Sequence, residues 1–424
     1  MESVDAQGRS SRLLLECAEL LFSNGETTER THEATSRMAR ALGVEVRLFL
    51  RWDELSVGTE GRAGWHYETI AARPAGVDMA KVTATVNLVD KLCDGLLLPI
   101  QVLAALEAIR RSPPASITRF AIMAAAGAAA LGVIFGAAHA SSLLLIALSA
   151  GAGACVRRGL ASVSHNLFVQ PFCASLLAGV IGAIVVHLQL SSSLRLVAVC
   201  PCMVLVPGPH LLNGALDLVR GRIGLGISRI AYACLIIVMI CAGLLFGLSA
   251  GGVALPVSGS SSAVPLGYDV IAAGIAVAAY GSFFNMPWST LPIPTAVGML
   301  AHAARWTVIT LGGASAEQGA LIACLIAGII ITPLADRLKL PFAAFAFASV
   351  VSLIPGIFVF RMASGAVQLV APGTNASPEL LLATITDGTT AALIMLAMAF
   401  GLIFPKLLIG RLYPRIGGTR DAKS

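Results

Sequence analysis

Apolar residues from Ile117 onward form a succession of long segments that short polar or charged turns separate. Each segment approaches the roughly 20 apolar residues that an α-helix needs to cross a bilayer. The pattern predicts ten membrane spans, at about 118–138, 140–156, 167–189, 194–210, 229–249, 267–286, 291–311, 316–334, 341–359 and 383–405.

Residues 1–117 follow a different pattern, in which polar residues are frequent and apolar positions recur with helical or strand spacing. The spacing predicts four helices and two strands. The helices are expected at 13–22, 27–42, 76–97 and 100–111, and the strands at 44–50 and 65–71. The sequence therefore predicts a small α/β head domain before the membrane part.

The composition supports a membrane protein. Hydrophobic residues make up 57% of the chain and charged residues only 12%, against roughly 25% charged residues in soluble proteins. A soluble enzyme, a disordered protein and a disulfide scaffold are excluded. The nine cysteines lie mostly in apolar runs, which indicates thiols rather than disulfides. The predicted fold class is a polytopic α-helical membrane protein with an N-terminal cytoplasmic α/β domain.

The charges are unevenly distributed along the chain. Residues 1–117 hold 13 Lys/Arg and 16 Asp/Glu, whereas the remainder holds 16 Lys/Arg and 7 Asp/Glu. The net charge of +6 therefore reflects arginines that flank membrane spans, and no nucleic-acid partner is expected. Basic residues collect on the cytoplasmic side of membranes. With a cytoplasmic head, Arg157, Arg158, the arginines at 220–229 and the basic tail all lie inside, whereas Arg195 and Arg361 lie outside. Both termini are thus predicted in the cytoplasm.

Two segments of the membrane part resemble each other. Val204-Leu205-Val206-Pro207-Gly208 and Ser352-Leu353-Ile354-Pro355-Gly356 are separated by 148 positions, which correspond to five predicted spans. An odd number of spans inverts the second copy relative to the first, as in many secondary transporters. The predicted organisation is a head over 1–117, five-helix repeats over 118–249 and 267–410, an external loop over 250–266 and a cytoplasmic tail over 411–424.

Both similar segments are also poor helices. Proline removes a backbone donor and clashes one turn back, and glycine permits a free turn. Unwound backbone at membrane depth marks substrate sites when it recurs at matching positions in two halves. We therefore expect substrate to bind between the halves, at Pro207, Gly208, Pro209, Pro355 and Gly356. The alternative is that both segments are ordinary helix ends at the membrane interface.

A few polar residues in the membrane part are candidates for substrate binding and charge coupling. Asn213 and Arg361 follow the two breaks and are expected to bind substrate. Asp217 is the first candidate for proton coupling because it is a rare acid next to a broken helix. Its alternative role is a cytoplasmic aspartate that pairs with Arg220 or caps a helix. Asp269 and Asp387, at the starts of the sixth and tenth spans, are further candidates, with the outer interface as the alternative.

The sequence offers little support for a metal site or an enzymatic site. Cys200-Pro201-Cys202, with His210 beyond, offers soft metal ligands, but no nucleotide-binding or phosphorylation motif of a metal pump accompanies them. In the head, the polar candidates for a catalytic site are His32, His66, Asp53 and Ser56. Asp53 and Ser56 are predicted in one loop, and no motif places a nucleophile among the four residues. We expect no cofactor, no metal and no enzymatic activity. A membrane-anchored hydrolase or a signalling protein is the alternative from another class.

Several short motifs occur in an order that resembles a known family. They are Gly25–Arg30 and Ala39–Val44 in the head, the Pro-Gly-x-x-x-x-Asn-Gly-x-x-Asp run over Pro207–Asp217 with Arg229 downstream, and Phe284–Pro287, Val297-Gly298 and Arg305-Trp306 in the second half. Together they resemble the threonine/serine exporter family, over roughly residues 11–410.

The resemblance implies proton-driven export of small hydroxy amino acids across the bacterial inner membrane. Small-molecule substrate, protons and membrane lipids are the implied partners, and the number of subunits is left open, a homo-oligomer included. A two-component branch of the family exports succinate, so a dicarboxylate exporter is the alternative. One departure concerns the second Pro-Gly, which is followed by Arg361 instead of an Asn-Gly and Asp run. The two half-sites are therefore not expected to be chemically equivalent.

Overall fold

The computed structural model describes residues 2–61, 64–137, 139–164, 166–190, 194–256, 264–338, 340–370 and 377–412. The first helices and strands are α1 (Glu2–Ser23), α2 (Thr28–Ala41), β1 (Val46–Arg51), β2 (Asp53–Gly61), β3 (Gly64–Ala72), α3 (Met79–Cys93) and α4 (Pro99–Arg111). The first half of the membrane part holds α5 (Ile117–Ile134), α6 (Ala140–Val163), α7 (Val169–His187), α8 (Leu194–Met203), α9 (Gly208–Val219) and α10 (Ile223–Ala250). The second half holds α11 (Leu266–Phe283), α12 (Pro292–Thr310), α13 (Ala316–Arg337), α14 (Phe342–Val350), a 3₁₀ turn (Val351–Leu353), α15 (Gly356–Val370) and α16 (Pro378–Leu412).

The head, taken here as residues 2–111, combines four helices with a three-stranded antiparallel sheet in the order β1-β2-β3. Helix α1 packs against β2 and β3, and its apolar face is buried because Leu14, Leu21 and Phe22 lie in the core. Strand β2 was not predicted, and it contains Asp53 and Ser56, which were expected in a loop. Its sequence alternates poorly because charged and glycine residues interrupt it.

The membrane part is polytopic and helical. Seven helices of the described chain are long and apolar enough to cross a bilayer, and the count reaches nine if each of two bent helix pairs is one span. The predicted seventh span, 291–311, coincides with α12, which is not among these helices. Its His302, Arg305 and Trp306 lower the mean hydropathy of the segment. The count of ten spans thus stays a prediction.

The two bent pairs coincide with the Pro-Gly segments. The helix axis bends by 53° between α8 and α9, and by 63° between α15 and the segment formed by α14 and its 3₁₀ turn. Both α9 and α15 begin at the glycine that follows the proline, because proline cannot donate the hydrogen bond that would continue the preceding helix. The membrane helices are therefore interrupted at the two positions that the sequence predicts.

Equivalent helices pack in the same way in the two halves. Helix α7 packs on α10 as α13 packs on α16, and α9 packs on α10 as α15 packs on α16. The first helices of the halves, α5 and α11, are antiparallel, since Phe120 near the start of α5 stacks on Phe283 at the end of α11. This arrangement is the one that an inverted repeat requires, and the repeat remains our interpretation of it.

The head contacts one end of the membrane helices, called the head-facing end below. The backbone N–H of Met79 donates to the carbonyl of Phe284 at 2.9 Å, and Asn285 Nδ2 donates to Asp78 Oδ1 at 2.9 Å. Arg30 donates to the carbonyl of Leu340, just before α14. The opposite end is called the far end. There, Leu255 is fully buried and its carbonyl accepts hydrogen bonds from Ser364 and Gln368 of α15.

Candidate functional site

The two helix breaks cross each other in the middle of the membrane part. Gly208 lies against the ring of Phe347, and a Cβ at position 208 would overlap that ring. Gly356 lies against Met203, whose Cγ would be 2.7 Å from a Cβ at position 356. The two glycines therefore allow a close reciprocal approach, in which each break packs on the helix that precedes the other break. The Tyr280 hydroxyl from α11 donates to the carbonyl of Met203 at 2.6 Å and satisfies one backbone group freed by the first break.

A cavity of about 280 Å³ lies next to the first break, at the head-facing end. Its walls come from α5, α6, α7, α10, the end of α11 and the turn of the head before α3. The residues that line the cavity include Asp78, Arg157, Val206, Pro207, Pro209 and His210. Its volume is near the lower limit of the ~300–1,000 Å³ that small-molecule sites occupy. Its size and position make this cavity a candidate site for a small molecule.

Arg157 is the cation in this cavity that has no ionic partner. It lies in α6, two turns before that helix ends, and its guanidinium stacks over the ring of Phe283 at 4.7 Å. Among the described residues it makes no hydrogen bond or ion pair. The neighbouring Arg158 differs because it donates to the carbonyl of Ala115. The sequence assigned both arginines to a cytoplasmic loop, whereas the helix continues through them.

Asp217 lies at the end of α9 in a buried cluster of charges. Its Oδ2 accepts a hydrogen bond from the Thr28 hydroxyl at 3.0 Å and lies 3.4 Å from Arg229 Nη1. Its Oδ1 lies 3.5 Å from Arg222 Nη1. Asp217 and Arg229 are both almost fully buried. Arg220, the partner that the alternative role of Asp217 requires, pairs with Glu29 of the head instead. Arg229, predicted at the cytoplasmic start of the fifth span, lies inside α10.

Asn213 joins the head to the first break. Its Nδ2 donates to the carbonyl of Gly25 at 3.1 Å, in the turn between α1 and α2. Gly25 has φ +94°, a conformation that favours glycine and that turns its carbonyl toward α9. Asn213 Oδ1 is buried and has no hydrogen-bond partner in the described chain. The Asn213 amide therefore uses its donor on the head, whereas its acceptor, Oδ1, has no partner among the described residues.

The other predicted acids lie toward the far end, and each has a basic neighbour. Arg361 Nε of α15 is 2.9 Å from Asp387 Oδ2 of α16. Asp269 Oδ2 of α11 is 2.8 Å from His302 Nδ1 of α12, with both side chains buried. Asp269 and Asp387 are each 3% exposed, so both acids are buried among the helices. His302 was not singled out in the sequence, because nothing local to α12 shows that Asp269 is its partner.

The structure brings together only part of the predicted site. Pro207, Gly208, Pro209 and Asn213 lie along the first break, and Pro355 and Gly356 cross it. Arg361 lies further along α15, and no contact joins it to the first break in the described residues. No group of three or more metal-binding side chains occurs there either, and no cysteine pair forms a disulfide.

Two family models match the chain. The model described as a putative threonine/serine exporter matches residues 12–251, and the model described as threonine/serine exporter, ThrE, matches residues 269–408. No solved structure matches the chain. The two matches follow each other in a single polypeptide and together span nearly all of it, including both helix breaks and the head. The chain therefore belongs to the threonine/serine exporter family, in a fused two-domain form.

Proposed function

We propose that the protein is a secondary exporter that carries threonine and serine across the bacterial inner membrane and uses the proton-motive force. The observation that carries the proposal is the crossing of two broken helices, with a cavity against one of them. The family match indicates an exporter-type transporter of threonine or serine, and the polytopic helical fold agrees with transport. The proposal includes the identity of the substrate, the proton-motive force as the energy source and the inner membrane as the location.

In this conformation the cavity reaches the first break, at Pro207 and Pro209, from the head-facing end. At the far end, the described chain after α10 is held against α15, because the Leu255 carbonyl accepts hydrogen bonds from Ser364 and Gln368. Movement of one half against the other would close the cavity and open the far end, as in alternating access. With both termini in the cytoplasm, the conformation is the inward-open one.

Substrate would bind to the unwound backbone and to the polar groups near it. Pro207, Gly208 and Pro209 offer carbonyl groups and the helix start of α9, whose partial positive charge suits a carboxylate. Pro355 and Gly356 contribute the corresponding backbone of the second half. Asn213 adds an acceptor through its unpartnered Oδ1. Arg361 becomes available to substrate only if its contact with Asp387 opens.

The proton is best assigned to Asp269 and His302. Asp217 lies beside two arginines and Asp387 beside one, so each of these carboxylates already has a permanently charged partner. Asp269 lies beside a histidine instead, a residue type that can relay a proton. His302 Nε2 is also buried without a partner in the described residues. The inside-negative membrane potential favours inward movement of a proton at the far end as substrate leaves.

A dicarboxylate exporter is the closest alternative, since Arg157, Arg158 and Arg361 could attract two carboxylates. Arg158 and Arg361 are already engaged by Ala115 and Asp387, however, and Asp78 in the cavity wall repels a second carboxylate. The cavity therefore favours a ligand with one carboxylate and one ammonium group.

Counterflow in proteoliposomes tests the proposal. Vesicles loaded with unlabelled threonine or succinate are given labelled threonine or succinate outside, with and without a pH gradient. We expect accumulation of labelled threonine, none of succinate above protein-free vesicles, and a change in net threonine flux when the gradient is reversed. Succinate counterflow without threonine counterflow would support the dicarboxylate alternative. The absence of both would leave a hydrolase or signalling role.

A further inference from the structure

We propose that Arg157 of α6 and Asp78 of the head, which line the same cavity, form a pair of opposite charges that binds the carboxylate and ammonium groups of a free α-amino acid. This inference rests on the proposed transport function and specifies its ligand site. The head thereby contributes directly to substrate binding. The site lies in the cavity at the head-facing end and includes residues that no sequence motif indicated.

The first observation is the state of Arg157. A guanidinium inside a protein ordinarily finds a carboxylate or several carbonyl acceptors, because its burial without them costs several kcal/mol. Within the described chain, Arg157 stacks on aromatic rings, over Phe283 at 4.7 Å and over Phe120 at 5.9 Å, and makes no ion pair. These rings hold the guanidinium in place without using its N–H donors. Such a fixed, unpaired fork matches a carboxylate bidentately.

The second observation is Asp78, which lines the same cavity from the turn of the head before α3. Asp78 caps α3, and its Oδ1 accepts from the backbone N–H of Lys81 and from Asn285 Nδ2. Both bonds end on one oxygen, so Oδ2 accepts no hydrogen bond from the described residues. Asn285 fixes the orientation of the carboxylate from the membrane part. An ammonium group would complete its set of donors.

The third observation is a buried polar group further along α6. Ser149 lies eight residues before Arg157 and therefore on the same face of the helix. It is 1% exposed, and its Oγ has no partner in the described residues. A void of about 10 Å³ beside the first break is lined by Ser149, Arg157, Pro201 and Val204. Arg157 thus lines both this void and the cavity.

The position of the site predicts its ligand class. One unpaired cation and one carboxylate in the same cavity fit a zwitterion, whereas a dicarboxylate or a diamine leaves one like-charge contact. The cavity of about 280 Å³ accommodates a small side chain. The remainder of the wall includes Tyr232 and His210, whose rings pack edge to face at 5.2 Å and limit the space near the break.

The test compares threonine with analogues that each lack one charge, in counterflow by the full-length protein. Threoninamide lacks the carboxylate and 3-hydroxybutyrate lacks the ammonium group. In the wild type, each analogue should compete with labelled threonine at least about tenfold more weakly than unlabelled threonine does. This factor corresponds to the loss of one charge-assisted hydrogen bond. Arg157→Gln should raise the half-saturation concentration for threonine about 10- to 100-fold and abolish discrimination against threoninamide. Asp78→Asn should abolish discrimination against 3-hydroxybutyrate and retain it against threoninamide.

Two further variants keep the test decisive. Arg157→Lys retains the charge and should keep the preference for threonine over threoninamide at reduced affinity, even if Arg157→Gln folds poorly. Arg158→Gln, one position away, should keep both preferences because its guanidinium is bound to Ala115. Unchanged affinity and discrimination in Arg157→Gln would overturn the proposal.

Failure of the transport function is separable from failure of the site. If the wild type carries no threonine, thermal unfolding of the purified protein in the presence of each of the common α-amino acids still reports binding. Stabilisation by any of them that disappears in Arg157→Gln would support the site. No stabilisation of the wild type by any amino acid would reject it.

Discussion

The buried ion pair between Asp217 and Arg229 permits a quantitative prediction. Asp217→Asn keeps the size of the side chain and the acceptor for Thr28, but it removes the carboxylate that lies 3.4 Å from Arg229. Arg229 is 1% exposed, and none of its nitrogens makes a hydrogen bond in the described chain. Removal of one partner from a buried ion pair costs about 3–5 kcal/mol, because the remaining charge stays buried without compensation. Glu26 is a second acid that interacts with Arg229, so we expect the lower end, about 3 kcal/mol.

Thermal unfolding of the purified variants in detergent measures this loss. Asp217→Asn should lower Tm by on the order of 5 °C. The matched control is Arg222→Gln, because Arg222 is 3.5 Å from the same carboxylate but its side chain is 34% exposed. A solvent-screened pair contributes about 0–1 kcal/mol, so the control should shift Tm little.

A double variant separates the charge from the packing. Asp217→Asn combined with Arg229→Met removes the uncompensated cation and retains an unbranched side chain in its place. It should recover most of the stability that Asp217→Asn loses. The reasoning is refuted if Asp217→Asn unfolds at the wild-type temperature, or if the double variant is no more stable than the single one. Threonine flux in the double variant also tests the coupling role that the sequence suggests for Asp217, since that role requires the carboxylate itself.

Three further predictions concern the crossing, the head and the proton. Gly208→Ala should destabilise the protein by about 1–3 kcal/mol because its Cβ would overlap the Phe347 ring. Phe347→Leu added to this variant should restore part of the lost Tm. Equal Tm values for Gly208→Ala and the wild type would contradict the close approach. Burial, then the nearby Arg222, lowers the pKa of His32 below its ordinary value, so the folded protein binds a proton at His32 less readily than the unfolded chain does. Stability should therefore fall as the pH decreases through 6.5 toward the lowered pKa, and His32→Gln should flatten that part of a Tm-against-pH curve. Asp269→Asn and His302→Gln should each retain threonine counterflow but lose the response of net flux to a pH gradient, and a normal gradient response in both would remove this pair from the mechanism.

Features that depend on local backbone chemistry could be predicted from the sequence. The breaks at Pro207-Gly208 and Pro355-Gly356 follow from the missing proline donor and the freedom of glycine, which act within one helical turn. The long apolar segments likewise correspond to membrane helices. Strand β2 escaped prediction because its sequence, Asp-Glu-Leu-Ser-Val-Gly-Thr-Glu-Gly, lacks a regular alternation and is stabilised by pairing with strands on both sides.

The partners of the charged side chains could not be predicted, since they are set by packing between distant segments. Asp217 lies beside Arg229 and Thr28 and not beside the nearby Arg220, the partner that its alternative role requires. Arg157 resembled a cytoplasmic loop residue because a charge near a span end usually faces water. Only the arrangement of α6, α11 and the head shows that it faces a cavity. A buried histidine such as His302 likewise becomes a candidate only when its acid is located.

The account depends most directly on substrate reaching the first break from the head-facing end. Leu205 lines both the cavity and the void beside Arg157, so Leu205→Cys places a thiol on the proposed path. It is introduced into a protein whose exposed Cys93, Cys155 and Cys234 are replaced by serine or alanine. The rate of labelling by a membrane-impermeant maleimide is then measured from each side of the membrane, with and without threonine. The account predicts labelling from the cytoplasmic side that threonine slows and that succinate leaves unchanged. Labelling that threonine does not affect, or access to this thiol only from the opposite side, would contradict it.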